Sequence, residues 1–501
     1  MNRKQKLLLN SMSSLSYQLV KLLCGFILPR MFLISYGSIV NGLVASITQF
    51  LGFITLAECG VGAVVKSAFY KPLADKDDEE ISKIMISSER FFRKIAYLLV
   101  GYTIILTIVY PWIVKEEFAY FYTAALIFAI SINSFAEYYI GVSYQLLLGA
   151  DQLGFIRYFV NVIALVINTI ACIVLMKSGA SIQLVKLSTS LIYMMQPIAL
   201  SMIAKKRYRI DRTITLIEEP IKQKWNGFAQ HIAAVVLANT DVMLLTMLSA
   251  LENVSIYSVY FMVVNGVKGL MVSMTNGVQA LFGNMYAKEE KEKLNRTFDA
   301  VEWIMHTGVT FVFGLTAMLI VPFVSVYTKG INDANYIVPL FGFLITMAEA
   351  AHCWRLPYVS MVYAAGHFKQ TQYAAIVEVV INIVISIALV ARFGLVGVAV
   401  GTFAAVFYRN CYFVVYLSKN ILNREIKYFV KHMLIDALCI GIMAGVMKLF
   451  SKFFSLGEQS YFAWVILGVK AGVTYGAILL VVNLLFYKKR IIEVFSMIKK
   501  K

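Results

Sequence analysis

One feature limits what this chain can fold into more than any other. About fourteen runs of 20 or more mostly apolar residues follow one another with only short polar breaks. They lie near 11–34, 39–66, 91–114, 118–148, 155–176, 180–204, 225–250, 254–285, 298–327, 336–365, 371–392, 395–418, 430–451 and 460–487. A run of that length, rising about 1.5 Å per residue, crosses a hydrocarbon core about 30 Å thick. Lipid offers backbone groups no hydrogen bonds, so the runs are read as helices; the two-residue alternation of barrel strands is missing. Composition agrees: of 501 residues, 60% are apolar and 15% charged, against about 25% charged in a soluble domain. A soluble globular fold, a disordered chain and a disulfide scaffold are excluded. The first run is expected to stay as a spanning helix. It is too long for a cleaved leader, carries Lys21 and Arg30, and is followed by no small-residue cleavage site.

The formal charge of +18 would suggest nucleic acid in a soluble protein. Here it sorts by topology. With the N-terminus inside and crossings alternating, about 33 basic residues fall on the cytoplasmic side, about 7 outside and about 6 within the membrane. The inside set runs through Arg3, Lys66 to Lys94, Lys205 to Lys224, Lys288 to Arg296 and the tail from Lys488; Lys115, Lys177, Lys329 and Lys448 are among those outside. Both termini are expected in the cytoplasm and nucleic acid is not an expected partner. The six cysteines all lie in apolar runs with no close pair, so neither disulfide, metal nor cofactor site is expected. No polar stretch is long enough for a catalytic domain and there is no Walker motif. The expectation is a transporter driven by an ion or substrate gradient, not an enzyme.

The basic linker 205–224 splits the first twelve runs into lobes 1–204 and 225–420, with an extra helix pair and tail over 421–501. The lobes share landmarks. Gly149-Ala-Asp151 leads to Asn168 and then Gly179; Gly366-His-Phe368 leads to Asn382 and then Gly394. Gly60-Val-Gly62 and Tyr70 before a charged loop match Asn276-Gly277 and Tyr286 before another. Six helices per repeat make the repeats parallel, related by a pseudo-twofold along the membrane normal. The expectation is a central cavity and alternating access.

The order Pro29-Arg30, Tyr36-Gly37-Ser38-Ile39-Val40-Asn41-Gly42, Glu58-Cys-Gly60-Val-Gly62, Tyr70-Lys71 and the acidic loop Asp75 to Glu80 resembles the amino-terminal signature of Wzx-type polysaccharide repeat-unit flippases. That family belongs to the multidrug/oligosaccharidyl-lipid/polysaccharide (MOP) exporter superfamily. Gly394-Leu-Val-Gly397-Val-Ala-Val-Gly401-Thr402 resembles the late signature. The resemblance implies a MATE-like, all-α polytopic fold of about fourteen helices in the inner membrane of a bacterium. It implies movement of undecaprenyl-pyrophosphate-linked oligosaccharide to the outer leaflet for O-antigen, capsule or exopolysaccharide. Proton or sodium would be the coupling ion, with polysaccharide polymerase or export machinery as further partners. A cation-coupled multidrug antiporter and a lipid II flippase are the alternatives. The helix 1 acid that each of these branches carries is missing here.

Ionisable groups at bilayer depth cost about 2.5–3.5 kcal/mol or more and therefore face a partner or a cavity. The cations Lys21, Arg30, Lys268, Arg355 and Arg409 are the candidates for binding an anionic headgroup, arginine as a planar fork and lysine as a point charge. Lys470, on the extra helix pair, is read as structural or as snorkelling from the lipid face. The intramembrane acids singled out are Glu58, Glu137, Asp241, Glu349 and Glu378. Asp241, Glu349, His352 and Glu58 are the ion-coupling candidates; Glu349, His352 and Arg355 repeat at helical spacing, with His352 able to bridge the other two. Pro29 and Pro357 are the hinge candidates, Pro29 by breaking helix 1.

Overall fold

The structure is a computed structural model that describes residues 3–58, 60–114, 117–216, 228–275, 278–488 and 490–491. Cys59, Lys115, the linker from 217 onward with Lys222 and Lys224, the Asn276-Gly277 landmark and most of the basic tail lie outside the described residues. The fold is all-helical: 86% helix, with no strand among the described residues. Among the described residues, twelve helices are long and apolar enough to cross a membrane, which makes this a multi-pass membrane protein.

Twelve and fourteen describe the same chain. The first two runs form one helix, α1 (Arg3–Gly52), broken at Gly37 with φ 80° and ψ 174°. Glycine reaches that conformation without the Cβ clash that blocks other residues. The helix passes through Pro29, so the expected break at the proline is corrected: the chain turns at Gly37. A proline removes one helical hydrogen bond, whereas a positive φ ends the helical path altogether. The run 336–365 is two helices, α13 (Pro339–Trp354) and α14 (Leu356–Ala364), meeting at Arg355 beside Pro357. Each is too short to qualify alone. Counting α1 twice and adding this pair restores fourteen.

The chain divides into two compact units, Met1–Met243 and Leu244–Lys501. In unit 1, α1 is followed by a 3-10 turn (Phe53–Glu58), α2 (Val61–Ala68), α3 (Tyr70–Asp75) and α4 (Asp78–Ile113). Then come α5 (Tyr120–Ala136), a π turn (Glu137–Gly141), α6 (Val142–Ala150), α7 (Gly154–Lys177), α8 (Ile182–Arg207) and most of α9 (Phe228–Leu248). The second apolar run thus ends in short helices rather than one. α4 begins well before its apolar run because Asp77 caps it, accepting from Glu80 N–H, with Asp78, Glu79 and Glu80 in its first turn. One core of this unit joins Val65 and Phe69 to Met85, Leu147 and Leu200.

Unit 2 holds the end of α9, then α10 (Leu251–Met274), α11 (Val278–Ala287), α12 (Lys291–Tyr327), α13, α14, α15 (Phe368–Phe393) and α16 (Leu395–Asn420). The final pair is α17 (Lys427–Leu449) and α18 (Tyr461–Phe486). α12 packs on α13, α17 and α18. The tightest helix pair is α15 with α16, and the glycines of the late signature explain it. A Cβ at Gly397 would meet the Leu389 backbone at 2.6 Å, and one at Gly401 would collide with Ser386 Oγ and meet Asn382 O at 3.0 Å. Small residues four apart let two backbones touch. Asn382 Nδ2 donates across this seam to Thr402 Oγ1 at 3.1 Å. The matching landmark of unit 1, Asn168, donates from α7 to Tyr193 of α8 at 3.3 Å.

Candidate functional site

Within unit 2 the structure gathers three of the five predicted cations. Glu378 on α15 is fully buried and accepts from two guanidiniums: Arg355 Nη1 at 2.7 Å, and Arg409 Nη1 from α16. Arg355 also donates from Nη2 to His352 Nδ1 at 3.1 Å. That bond needs an unprotonated Nδ1, so His352 accepts there, and no hydrogen bond from His352 to Glu349 occurs among the described residues. Glu349 instead pairs with Lys268 of α10 at 2.9 Å. Lys268 is a quarter exposed; Arg355 and Arg409 are buried. The bend at Arg355–Pro357 puts Arg355 at the junction of α13 and α14, where it reaches α15. Three cations thus share two carboxylates. Burying ions is costly unless they are paired, and among the described ion pairs the cations outnumber the carboxylates by one.

Unit 1 places the other candidates differently. Glu58 ends the 3-10 turn and accepts from Tyr138 O–H at 2.5 Å; Glu137 accepts from Gln145 Nε2 at 2.5 Å. Both acids line a cavity of about 380 Å³ with Thr48, Thr55, Asn133 and Tyr138. Glu137 opens the π turn, a feature frequent at functional sites. Gly141 keeps room for it: a Cβ there would meet Pro197 at 2.7 Å and Glu137 Oε2 at 3.1 Å. Neither carboxylate has a cation within ion-pair distance among the described residues. Asp241 is buried in α9, beside Asn239, whose side chain faces Gly52. Lys21 is exposed on α1 and Arg30 half-buried.

A second polar cluster of unit 2 was missed in the sequence reading. Glu302 on α12, fully buried, accepts from Tyr358 of α14 and, at both oxygens, from Arg424 in the loop before α17; the Arg424 Nη1 bond is 3.0 Å. Arg424 Nε meets Asp299 at 2.9 Å, and Arg490 meets Asp299 at 2.8 Å. One turn along α12, His306 Nδ1–H donates to Asp436 of α17 at 2.6 Å, and its ring stacks on His432 at 4.8 Å. The signal was present. Glu302 and His306 are four apart in one apolar run, His432 and Asp436 four apart in another, so each pair shares a helix face.

Outside the spans, the start of the linker is pinned to unit 1. Tyr208 donates to Asp151 at 2.6 Å, and Arg212 donates to Glu89 at 2.8 Å and to Tyr144 at 2.9 Å. Burial, reinforced by Asp151, pushes the Tyr208 phenol up. Burial works to lower Arg212, but Glu89 and Tyr144 outweigh it and its pKa is raised. The Thr213 hydroxyl and N–H hold the Asp211 carboxyl below its ordinary value. No group of three or more His, Cys, Asp or Glu side chains suited to a metal occurs among the described residues.

No family profile matches this chain, and no curated protein matches it by sequence. Solved structures do. It is similar to the lipid II flippase MurJ in an inward closed conformation: TM-score 0.70, 13% identity, covering 97% of this chain and 100% of that one. The chain has the fold of the MOP transporters. It is also similar to an inward-facing multidrug-resistance MATE transporter of the MOP superfamily (TM-score 0.59, 14% identity, 81% of this chain and 98% of that one). A MATE transporter from Vibrio cholerae gives 0.56 at 12% identity, over 85% of this chain and 100% of that one. At such identities the resemblance shows the MOP fold and leaves the substrate to be argued from this chain's own residues.

Proposed function

We propose that this MOP-fold protein is a flippase. It would carry an undecaprenyl-pyrophosphate-linked oligosaccharide from the cytoplasmic to the outer leaflet of a bacterial inner membrane, by ion-coupled alternating access. The observation that carries this reading is the cation excess of Lys268, Arg355 and Arg409 over Glu349 and Glu378 at membrane depth. A pyrophosphate supplies the missing negative charge, and the partly exposed Lys268 is the group positioned to meet it. Lys21 and Arg30 on α1 are proposed as the unit 1 contacts. Repeats over 1–204 and 225–420, the 205–224 linker on the cytoplasmic side and the extra pair over 421–501 complete the proposal, with both termini in the cytoplasm. Polysaccharide assembly proteins are the proposed partners.

The test is flipping of a fluorescent undecaprenyl-pyrophosphate oligosaccharide in proteoliposomes holding the full chain. Expected is protection of the fluorophore from an external quencher at a rate above empty vesicles, reduced at least tenfold by Lys268→Ala. Equal rates with and without protein would overturn the reading. One observation favours a second reading. The acidic cavity of Glu58 and Glu137 suits a cation-coupled antiporter, for which proton- or sodium-driven dye efflux without flipping is the distinguishing result.

A further inference from the structure

The His306–His432 cluster has no place in the cation reading, yet it is among the most completely buried polar assemblies of unit 2. His306 is 1% exposed. Its Nδ1–H is committed to Asp436 at 2.6 Å, while its Nε2 has no hydrogen-bond partner among the described residues. Two neighbours are in the same condition: Thr310 Oγ1, one turn along α12, and Trp354 Nε1, whose indole stacks on the His306 ring at 6.0 Å with 13° between the planes. Buried polar atoms are rarely left unpaired, and those that are call for an explanation. A neutral imidazole bonded through Nδ1–H to a carboxylate keeps a basic lone pair on Nε2. It can take up a proton there without breaking the bond that orients it.

The charges around the ring point the same way. On α12 itself, Glu302 and Asp299 face the cluster. Arg424 comes from the loop before α17, and Arg490 from beyond α18. α17 brings Asp436 and His432, the latter with Nε2 at 3.5 Å from Glu302 and Nδ1 at 2.7 Å from the Tyr487 hydroxyl. α14 contributes Tyr358, and α18 contributes Tyr475, which donates to the Thr310 carbonyl at 3.1 Å. α10 and α11 present apolar Met271 and Phe282 to α12. Lys431 stands exposed at the rim, its ammonium on the Phe486 carbonyl at 3.3 Å. With both imidazoles neutral and the exposed Lys431 left to solvent, the cluster holds, among the described residues, three carboxylates (Asp299, Glu302, Asp436) against two guanidiniums (Arg424, Arg490). One proton balances it. Two would place like charges on rings 4.8 Å apart.

We propose that His306 and His432 form a binding site for a single proton, held between Asp436 and Glu302, at the seam where α17 docks on α12. As a proton site it stands on this geometry alone. As the source of the coupling ion it rests on the transport reading above. Proton release leaves one unbalanced negative charge in the seam and loosens α17 from α12; uptake restores the contact.

Trp354 supplies the probe, because a protonated imidazole stacked on an indole quenches its fluorescence. The full-length protein in detergent is titrated from pH 5 to 9, and the Trp354 share is obtained by subtracting Trp354→Phe. The expected result is a one-proton quenching curve with its midpoint inside that range. It is absent in His306→Gln and moved down by at least one pH unit in Asp436→Asn. A Trp354 signal that does not change over that range in the unmodified cluster would overturn the proposal, as would the same curve in His306→Gln. Proteoliposome transport separates the two readings. No flipping with the titration intact overturns the proposed substrate and leaves the proton site standing. Flipping driven equally well with and without a pH gradient removes the coupling role.

Discussion

Acidic clusters, one in each unit, handle buried charge in opposite ways. Unit 2 surrounds three of its buried acids with cations: Glu378 with two arginines, Glu349 with Lys268, Glu302 with Arg424. Among the described residues, unit 1 gives Glu58 and Glu137 neutral donors, a tyrosine hydroxyl and a glutamine amide, beside a cavity. A carboxylate locked between guanidiniums is fixed in its ionised form, since removing either side leaves the other charge uncompensated. A carboxylate bonded to neutral donors beside a cavity is not held by such a pair. The difference separates a cation-locked cluster around Glu378 from an acidic cavity whose carboxylates are not tied to a cation.

That contrast is broken or upheld first by Glu378→Gln against Glu137→Gln. Removing the shared carboxylate strands two buried guanidiniums, a loss of about 3–5 kcal/mol. Glu137→Gln keeps the shape and trades one neutral hydrogen bond for another, a change of about 1 kcal/mol or less. Thermal unfolding of the full chain in detergent reads both. Similar midpoints for the two variants would mean that the arginines find other partners, and the cation-locked reading of the Glu378 cluster would fail.

The next effect concerns how each unit closes its late helix hairpin. α15 and α16 touch backbone to backbone at Gly397 and Gly401, whereas α7 and α8 meet through side chains such as Asn168, Cys172 and Thr189. Gly401→Val forces Ser386 and the Asn382 carbonyl aside and is expected to cost about 1–3 kcal/mol or more. Gly441, with nothing within 4 Å of its Cβ direction, is the control. Gly441→Ala is expected to be neutral or to stabilise by up to about 1 kcal/mol through helix propensity. Asn382→Ala and Asn168→Ala should each lose about 1 kcal/mol, the worth of one cross-helix hydrogen bond. Unequal losses in the two asparagine variants would show that the hairpins are not equivalent.

What was legible in the sequence follows the same physics. Apolar length alone placed the spans, because lipid leaves helices as the only way to satisfy the backbone over those runs. The Gly394 to Thr402 pattern marked a real close approach, since only glycine fits where a Cβ meets backbone. Pro29 misled because a proline bends a helix that neighbours can still hold, while the decisive Gly37 looked like one glycine among many. Lys268, Arg355 and Arg409 were singled out from their runs, but which acid each would choose depends on helix rotation that spacing does not give. Glu302, His306, His432 and Asp436 were overlooked because each lies near the end of its run, where an ionisable residue passes for a surface one. Only the packing of α12 against α17 makes them a buried set.

The smallest effect lies outside the spans and sets one loop of unit 1 against one of unit 2. Arg424 clamps the loop before α17 onto Glu302 and Asp299. Burial works against its charge, but those carboxylates outweigh it and its pKa is raised, so the guanidinium stays charged at any working pH. Asp211 holds the start of the linker through the Thr213 hydroxyl and N–H, which keep its carboxyl below the ordinary value, while its own N–H donates to Ser82 at 3.0 Å. The folded pKa is depressed. Its contribution is therefore complete above the unfolded carboxylate value, about 3.9, and fades as pH falls through the lower folded value. Acidification from pH 6 to 3 should speed amide exchange at 208–213, after correction for the intrinsic rate, before the Arg424 loop responds. Asp211→Asn should remove the pH step and leave a fast, pH-independent baseline. If the two loops loosen together, the linker is held by Arg212 on Glu89 and Tyr144, and Asp211 merely shapes the turn.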